Sequence, residues 1–285
     1  DARIASLESP MPSNLESWFI TYFGQGLTEL YFRPYNEKVW NIPLSRLSML
    51  WSERIPNPPV RDVVLGAMGQ ATDGYTHQLY YNYPLEGGFG SLMSAWADHL
   101  PEGTLELGVQ VTKLIPDLSG VSLHLSDGRK LHAPQVISTM PLDTLCEITH
   151  GCPDDIRSLA QSLIVNPMVI ANFGFLGEDP NEYTAAYIPD DDFLVNRVSF
   201  PAVYSPRNAP PGQFLVQAEI TSAPGGEVMH WTDDRVTSHV LPGLVERGLA
   251  PDQTPILVSI ERYSRAYIVY DTTSREIVAA RNRFA

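Results

Sequence analysis

The densest set of side chains able to do chemistry runs from Tyr31 to Trp40, reading Tyr-Phe-Arg-Pro-Tyr-Asn-Glu-Lys-Val-Trp. Its aromatic rings could form a wall on which a base or a flavin stacks, with Arg33, Asn36 and Lys38 meeting polar atoms at the ligand's edge. The same residues also describe an aromatic core at a helix end with its charges in solvent, and Asn36-Glu37-Lys38 reads equally as a turn. Trp51-Ser52-Glu53-Arg54 follows. Arg54 stands just before Ile55-Pro56, at the entrance to a restrained loop, where it could point into a cleft or pair with Glu53. Tyr81 to Gly90 contains Pro84 and the adjacent Gly87 and Gly88 before an expected helix. Two glycines there let a flat ligand approach the backbone, and free N–H groups favour an electron-rich partner; a plain tight turn is the other reading. Arg197, in Asn196-Arg197-Val198-Ser199, falls on an expected strand after three consecutive aspartates. It could face a ligand or be an outward edge cation. Arg262, Tyr263, Arg265, Tyr267 and Tyr270 repeat the aromatic and arginine theme near the C-terminus.

The balance of charge limits what such a surface can bind. The chain has 285 residues and a net charge of −14, so its mean field repels nucleic acid and anionic membranes. Lysine occurs only at 38, 113 and 130, which leaves 16 of the 19 cations as arginine, the side chain whose planar fork grips oxyanions with two bonds. A phosphate ligand therefore needs a local arginine set against the overall field. Cys146 and Cys152 are too few for a disulfide framework and read as packing thiols of a reducing compartment. The seven histidines are scattered without a metal-binding spacing, so no metal site is expected. No stretch is apolar enough for a membrane span, and the N-terminus has no leader-like apolar run, which points to a cytoplasmic protein.

The elements that must position these residues follow from periodicity. Leu15, Trp18, Phe19, Tyr22 and Phe23 share one helical face, with Ser13 and Glu16 at capping-box spacing. Gly24 and Gly26 interrupt that helix, and a short second helix is expected from Leu27 to about Phe32, ending before Pro34. Helices are also expected over 59–69, 89–100, 142–148, 154–163 and 233–247. Strands are expected over 105–115, 121–125, 130–137, 168–176, 184–188, 194–200, 213–220 and 256–262, with Ser126-Asp127-Gly128 as a hairpin turn. This pattern predicts an α+β chain: an N-terminal helical subdomain, residues 1–100, carrying the Gly-Gly turn, and a mixed or antiparallel sheet region, residues 101–285. No Gly-x-Gly-x-x-Gly follows a strand and opens a helix; Gly24-Gln25-Gly26 follows a helix and has Glu29 in the sixth position.

Taken in order, Phe32 to Trp40, then Trp51-Ser52-Glu53-Arg54-Ile55-Pro56, then Tyr83-Pro84-Leu85-Glu86-Gly87-Gly88, resemble UDP-galactopyranose mutase and the flavin oxidoreductases related to it. Ser138 to Asp143, the Arg197 strand, Tyr204-Ser205-Pro206 and Glu219-Ile220-Thr221 continue the likeness along the chain. The Gly-Gly turn is shared with flavin amine oxidases and protoporphyrinogen oxidases. The resemblance implies a parent flavoprotein that binds FAD and a nucleotide-sugar, in which reduced flavin attacks the anomeric carbon, UDP leaves and returns, and no net redox change results. It implies that Arg54 and Arg197 clamp the diphosphate, and that Tyr31 and Trp40 line the uridine and sugar side with Asn36 near the base. Tyr187, Tyr204 and Tyr267 would contact diphosphate or sugar. Pro84, Gly87 and Gly88 would face the flavin, and Val111 would lie near its adenine end. The N-terminal Rossmann unit with its glycine fingerprint would precede Asp1 and is expected to be absent from this chain, so FAD is expected with the full-length parent and the isolated chain is expected to be colourless. Two positions depart from the mutase pattern: Ala185 replaces an aromatic, and Asn82 replaces an arginine. An amine or protoporphyrinogen oxidase-type enzyme, and an isolated segment that only binds a nucleotide or a partner, are the alternatives.

Overall fold

A computed structural model describes residues 12–55, 59–70 and 82–274. Helix α1, Leu15–Phe23, buries Leu15, Trp18 and Phe19. Its cap lies one residue later than expected. Asn14 Oδ1 accepts from the Ser17 amide at 2.9 Å while Ser17 Oγ accepts from the Asn14 amide at 3.2 Å. Glu16 is thereby released to pair with Arg33. A short turn, Gln25–Leu27, and a π-helical turn, Thr28–Phe32, lead into α2, Arg33–Trp40. The expected stop before Pro34 does not occur. In the π turn the Arg33 amide bonds to Thr28 O, so the ladder has already left the four-residue register when the proline arrives in the first turn of α2, where a missing N–H costs little.

Two short 3₁₀ turns, Leu44–Arg46 and Met49–Arg54, precede α3, Val60–Ala67, and α4, Gly90–His99. Strands β1, Val111–Asp117, β2, Gly120–Leu125, and β3, Lys130–Ala133, form an antiparallel meander. They are shorter than expected at the outer ends. The Ser126–Gly128 turn is present, with Gly128 at φ 88° and the Leu125 amide donating to Arg129 O at 2.9 Å. Helices α5, Leu142–Ile148, and α6, Asp154–Gln161, follow. Then come β4, Val165–Leu176, β5, Ala185–Tyr187, β6, Arg197–Ser199, α7, Pro201–Tyr204, β7, Gln213–Thr221, α8, Asp233–Glu246, and β8, Leu257–Ile268. Strand β8 runs past the expected Arg262 because β4 keeps pairing with it, across a bulge, to Val165 opposite Ile268.

The five later strands make one antiparallel sheet in the order β5-β6-β7-β4-β8. The chain is thus α+β, as its pattern of periods predicted. One sheet face is apolar. Val169, Ala171, Phe173 and Phe175 on β4 and Phe214, Val216, Ala218 and Ile220 on β7 are buried with Val236, Val240 and Leu244 of α8. Each of the valine, leucine, isoleucine and phenylalanine side chains in this set contributes about 1.5–3 kcal/mol of burial. The alternate residues point to the other face and include its polar side chains: Asn172 on β4, Gln217 and Glu219 on β7, Arg197 and Ser199 on β6.

Contacts group the chain into two compact units, Asp1–Leu92 with Val165–Thr272, and Met93–Ile164 with Thr273–Ala285. A division at residue 100 cuts across this grouping, because α1 and α2 pack in the same unit as the five-stranded sheet. The second unit holds the meander, α5 and α6, with Cys146, Cys152, Ile156 and Ala160 at its centre. Both cysteines are free, and burial together with Cys152 pushes the Cys146 thiol up to about 11, as befits packing thiols. Among the described residues no group of histidine, cysteine or carboxylate side chains could hold a metal ion, and no helix is long and apolar enough to cross a membrane.

Candidate functional site

The polar face of the five-stranded sheet carries the site. Strand register places Tyr187 opposite Arg197 and Arg197 opposite Glu219, so three side chains from β5, β6 and β7 form one row. Arg197 Nε lies 3.4 Å from Glu219 Oε1, and its Nε and Nη2 both donate to Ser199 Oγ at 3.2 Å. The pair is unequal in its surroundings: 33% of the Arg197 side chain is exposed against 7% of Glu219. Burial works against the Arg197 charge, but Glu219 and the oxygens of Tyr187, Tyr267 and Tyr204 outweigh it and hold the guanidinium above its ordinary range. Burial also pushes the Glu219 carboxyl up, and the attraction of Arg197 only partly opposes this. Both directions are consistent with one ion contact at 3.4 Å that replaces only part of the hydration Glu219 has lost.

Helix α2 lays an aromatic wall beside this row. Tyr31 and Tyr35 are one helical turn apart and stack in parallel, with centroids 5.6 Å apart and planes 3° apart. Tyr35 meets Tyr187 edge-on at 5.5 Å, and Trp40 meets Tyr267 of β8 edge-on at 5.9 Å. Burial, then Tyr187, pushes the Tyr31 and Tyr35 phenols up; Tyr267 is raised by burial and then by Glu219. Two ties hold α2 to the sheet unit. Asn166 Nδ2 of β4 donates to Trp40 O at 2.8 Å, and Lys38 Nζ donates to Ile188 O at 2.9 Å and Asp190 O at 2.8 Å.

A further set of contacts joins the glycine turn to α7. Gly87 and Gly88 have φ of 74° and 62°, the left-handed region that favours glycine. Tyr83 packs on Tyr204 at 5.3 Å, Ser205 Oγ donates to Leu85 O at 2.5 Å, Arg207 pairs with Glu86, and Asn208 Nδ2 donates to Pro201 O at 2.7 Å. A Cβ on Gly88 would have only Tyr83 Oη, at 3.7 Å, as a neighbour, so this backbone presents a bare surface that a flat ring could approach.

Of the residues singled out from sequence, Tyr31, Trp40, Tyr187, Arg197 and Tyr267 come together in this unit, with Tyr204 bearing on Arg197 and on the glycine turn. Asn36 is differently engaged. It is buried, its Nδ2 donates to Phe32 O at 2.7 Å, and its Oδ1 accepts from Trp40 Nε1 at 3.3 Å, so both ends serve α2 itself. The Arg54 side chain lies outside the described residues. Pro84 stands in the glycine loop, while Val111 opens β1 in the other unit, opposite Leu125. Sequence singles out Tyr35 only as one of the aromatics of the 31–40 stretch, and it gives Ser199 and Glu219 no role of their own. Tyr35 is legible as the residue four after Tyr31, whereas the meeting of Glu219 with Arg197 depends on strand register between residues 22 positions apart and has no local signal. A separate hollow of about 500 Å³ lies along Glu29, Arg33, Glu37 and Lys38, but none of the gathered site residues line it. Its arginine is already taken by Glu16 and Glu29.

With the geometry in place, the sequence profile of the flavin-containing amine oxidoreductases matches residues 10–267. The chain belongs to that family. Its fold is similar to reduced UDP-galactopyranose mutase, with a TM-score of 0.85 at 21% identity over 98% of this chain and 62% of that one. It is also similar to a protein described as a protoporphyrinogen oxidase from Exiguobacterium sp. 255-15, at a TM-score of 0.70 and 16% identity over 96% and 60% of the two chains. Putrescine oxidase bound to putrescine gives 0.60 at 14% identity over 92% and 58%. The likeness at these identities is one of fold. The chain spans about three-fifths of the length of each of these proteins.

Proposed function

We propose that this chain is the substrate-binding part of an FAD-dependent enzyme acting on a nucleotide-sugar, in the manner of UDP-galactopyranose mutase. The observation that carries the reading is Arg197, among the described residues the one cation of the tyrosine-lined row, set on a strand, restrained by Glu219 and Ser199 and still one-third exposed. A diphosphate needs a fixed cationic fork, and a pyrimidine base and a sugar need aromatic faces beside it; the Tyr31–Tyr35 stack, Tyr187, Trp40 and Tyr267 supply those faces. Family membership supports a flavin cofactor, and Pro84, Gly87 and Gly88 would meet its ring. When bound, the flavin would supply the nucleophilic or redox centre; the residues described here bind and orient the substrate and hold back water. Arg54 is proposed as the second arm of the clamp.

The oxidase reading rests on the same family and on the fold shared with putrescine oxidase. Glu219 could attract an ammonium group, but it already has Arg197 at 3.4 Å, and the more exposed guanidinium disfavours a second cation there. Calorimetric titration of the chain with UDP-galactose, putrescine and a porphyrin separates the two. Binding of UDP-galactose alone is the expected result, and binding of putrescine or porphyrin without UDP-galactose overturns it.

A further inference from the structure

The buried carboxylate beside Arg197 has a consequence for any anion that docks there. Glu219 sits mid-strand in β7, 5% exposed, with Arg197 of β6 on one side and Ile170 of β4 on the other. Among the described residues its carboxylate makes one polar contact, the 3.4 Å approach of Arg197 Nε, and no hydrogen bond. Ser199, which could have served it, instead receives both Nε and Nη2 of the guanidinium. The stabilisation of the Glu219 charge therefore depends on one neighbour, and that neighbour is the partly exposed member of the pair.

We propose that Glu219 is a positioning residue that holds the Arg197 fork in place and draws a proton from solvent when a diphosphate ligand occupies Arg197. This rests on the nucleotide-sugar reading above. A diphosphate brings negative charge to the guanidinium and shares its field, so the buried carboxylate is left with less attraction and a new anionic neighbour. Binding a proton to a Glu219 oxygen removes the repulsion, and no bond other than the new O–H is formed. The other titratable groups around the pair cannot take this role. Tyr187 on β5, Tyr31 and Tyr35 on the α2 side, Tyr204 on α7 and Tyr267 on β8 face the pair with phenols rather than carboxylates, and burial holds those of Tyr31, Tyr35 and Tyr267 above their ordinary range. Glu261, in the same cross-strand row beyond Ile170, is taken by the Tyr263 hydroxyl. Glu219 is thus, among the described residues, the buried carboxylate of the row that is left to gain the proton.

The test uses the full chain and UDP-galactose, whose phosphodiester oxygens do not titrate near neutral pH. Calorimetry in buffers of different ionisation enthalpy gives the protons taken up per ligand bound. The wild type is expected to take up a measurable fraction of a proton, Glu219→Asp to keep that uptake, and Glu219→Gln to bind with none. The wild-type Kd should also rise with pH where Glu219 loses its proton, while that of Glu219→Gln stays flat. Binding by the wild type without uptake, or equal uptake in wild type and Glu219→Gln, overturns the proposal and leaves the diphosphate clamp standing. Absence of any UDP-galactose binding to the wild type overturns both. Should Glu219→Gln fail to fold, infrared difference spectroscopy of the wild type decides: a protonated-carboxyl band on adding UDP-galactose supports the proposal, and its absence at saturation overturns it.

Discussion

Arg197 and Glu219 face each other from neighbouring strands at 3.4 Å, one partner reachable from solvent and the other almost wholly enclosed. Removing the reachable partner should therefore have two separable effects. Arg197→Ala is expected to weaken UDP-galactose binding by about 2–4 kcal/mol, the cost of one buried charged contact to phosphate. It should also lower stability by about 1–3 kcal/mol, because Glu219 is left buried without its counter-charge, a loss moderated by the partial exposure of Arg197. Adding Glu219→Gln should restore most of the stability and none of the binding. Urea unfolding and calorimetry on the single and double variants check this; equal stability of Arg197→Ala and wild type would show that the pair has no structural weight.

Much of this fold was legible because it is written in short periods. The face of α1 could be read from Leu15, Trp18 and Phe19, and the turn at Ser126–Gly128 from its residue types. What could not be read depended on distant partners. The length of β8 is fixed by pairing with β4, and α2 survives Pro34 because a π turn precedes it. The site divides in the same way. Aromatics of the α2 region and Arg197 stand out by type, but only register places Glu219 beside Arg197. Asn36 drew notice as an amide among aromatics, yet an amide can spend both ends on its own helix, and sequence does not show which choice is made.

Tyr35 leads to a prediction at high pH. Burial, then Tyr187 and Tyr31, raises its phenol strongly. A group whose pKa is raised on folding gives stability that is complete below its unfolded value and is lost as pH climbs. Wild-type stability should therefore fall above about pH 10, where the unfolded tyrosine ionises. Tyr35→Phe should lose stability less steeply there. Absorbance at the phenolate band against pH, followed beside circular dichroism, should show phenols that ionise only as the chain unfolds. Ordinary titration of every phenol in the folded state would refute it.

Lys38 should produce the opposite slope. Burial holds its ammonium down at about 8, with Asp190 and Asp191 opposing, while Nζ donates to Ile188 O and Asp190 O. The unfolded value is about 10.4, so between these limits the unfolded chain binds more protons and stability rises with pH. Relative to Lys38→Met, the wild type should gain stability from about pH 8 to about pH 10 as the cost of the buried charge fades. Denaturation midpoints of the two proteins across that range test the sign, and parallel curves would mean that Lys38 titrates as it does in water.

Gly243 offers a test of the packing beneath the site rather than of its chemistry. It lies in α8, buried against Phe193, and a Cβ built on it would stand 2.8 Å from Phe193 Cδ2 and nearer still to Cε2. Helix propensity alone favours alanine over glycine by about 1 kcal/mol. The steric cost should win, because Phe193 is 3% exposed and is itself covered by the Arg247 guanidinium at 4.5 Å, so the ring has little room to withdraw. Gly243→Ala is therefore expected to destabilise by about 1–3 kcal/mol, as over-packing does. Gly243→Ala combined with Phe193→Leu should recover part of the loss, since the smaller side chain vacates the space the new methyl needs. Thermal unfolding of the three proteins decides it, and a single variant more stable than wild type would mean that α8 can shift away from the Phe193 ring.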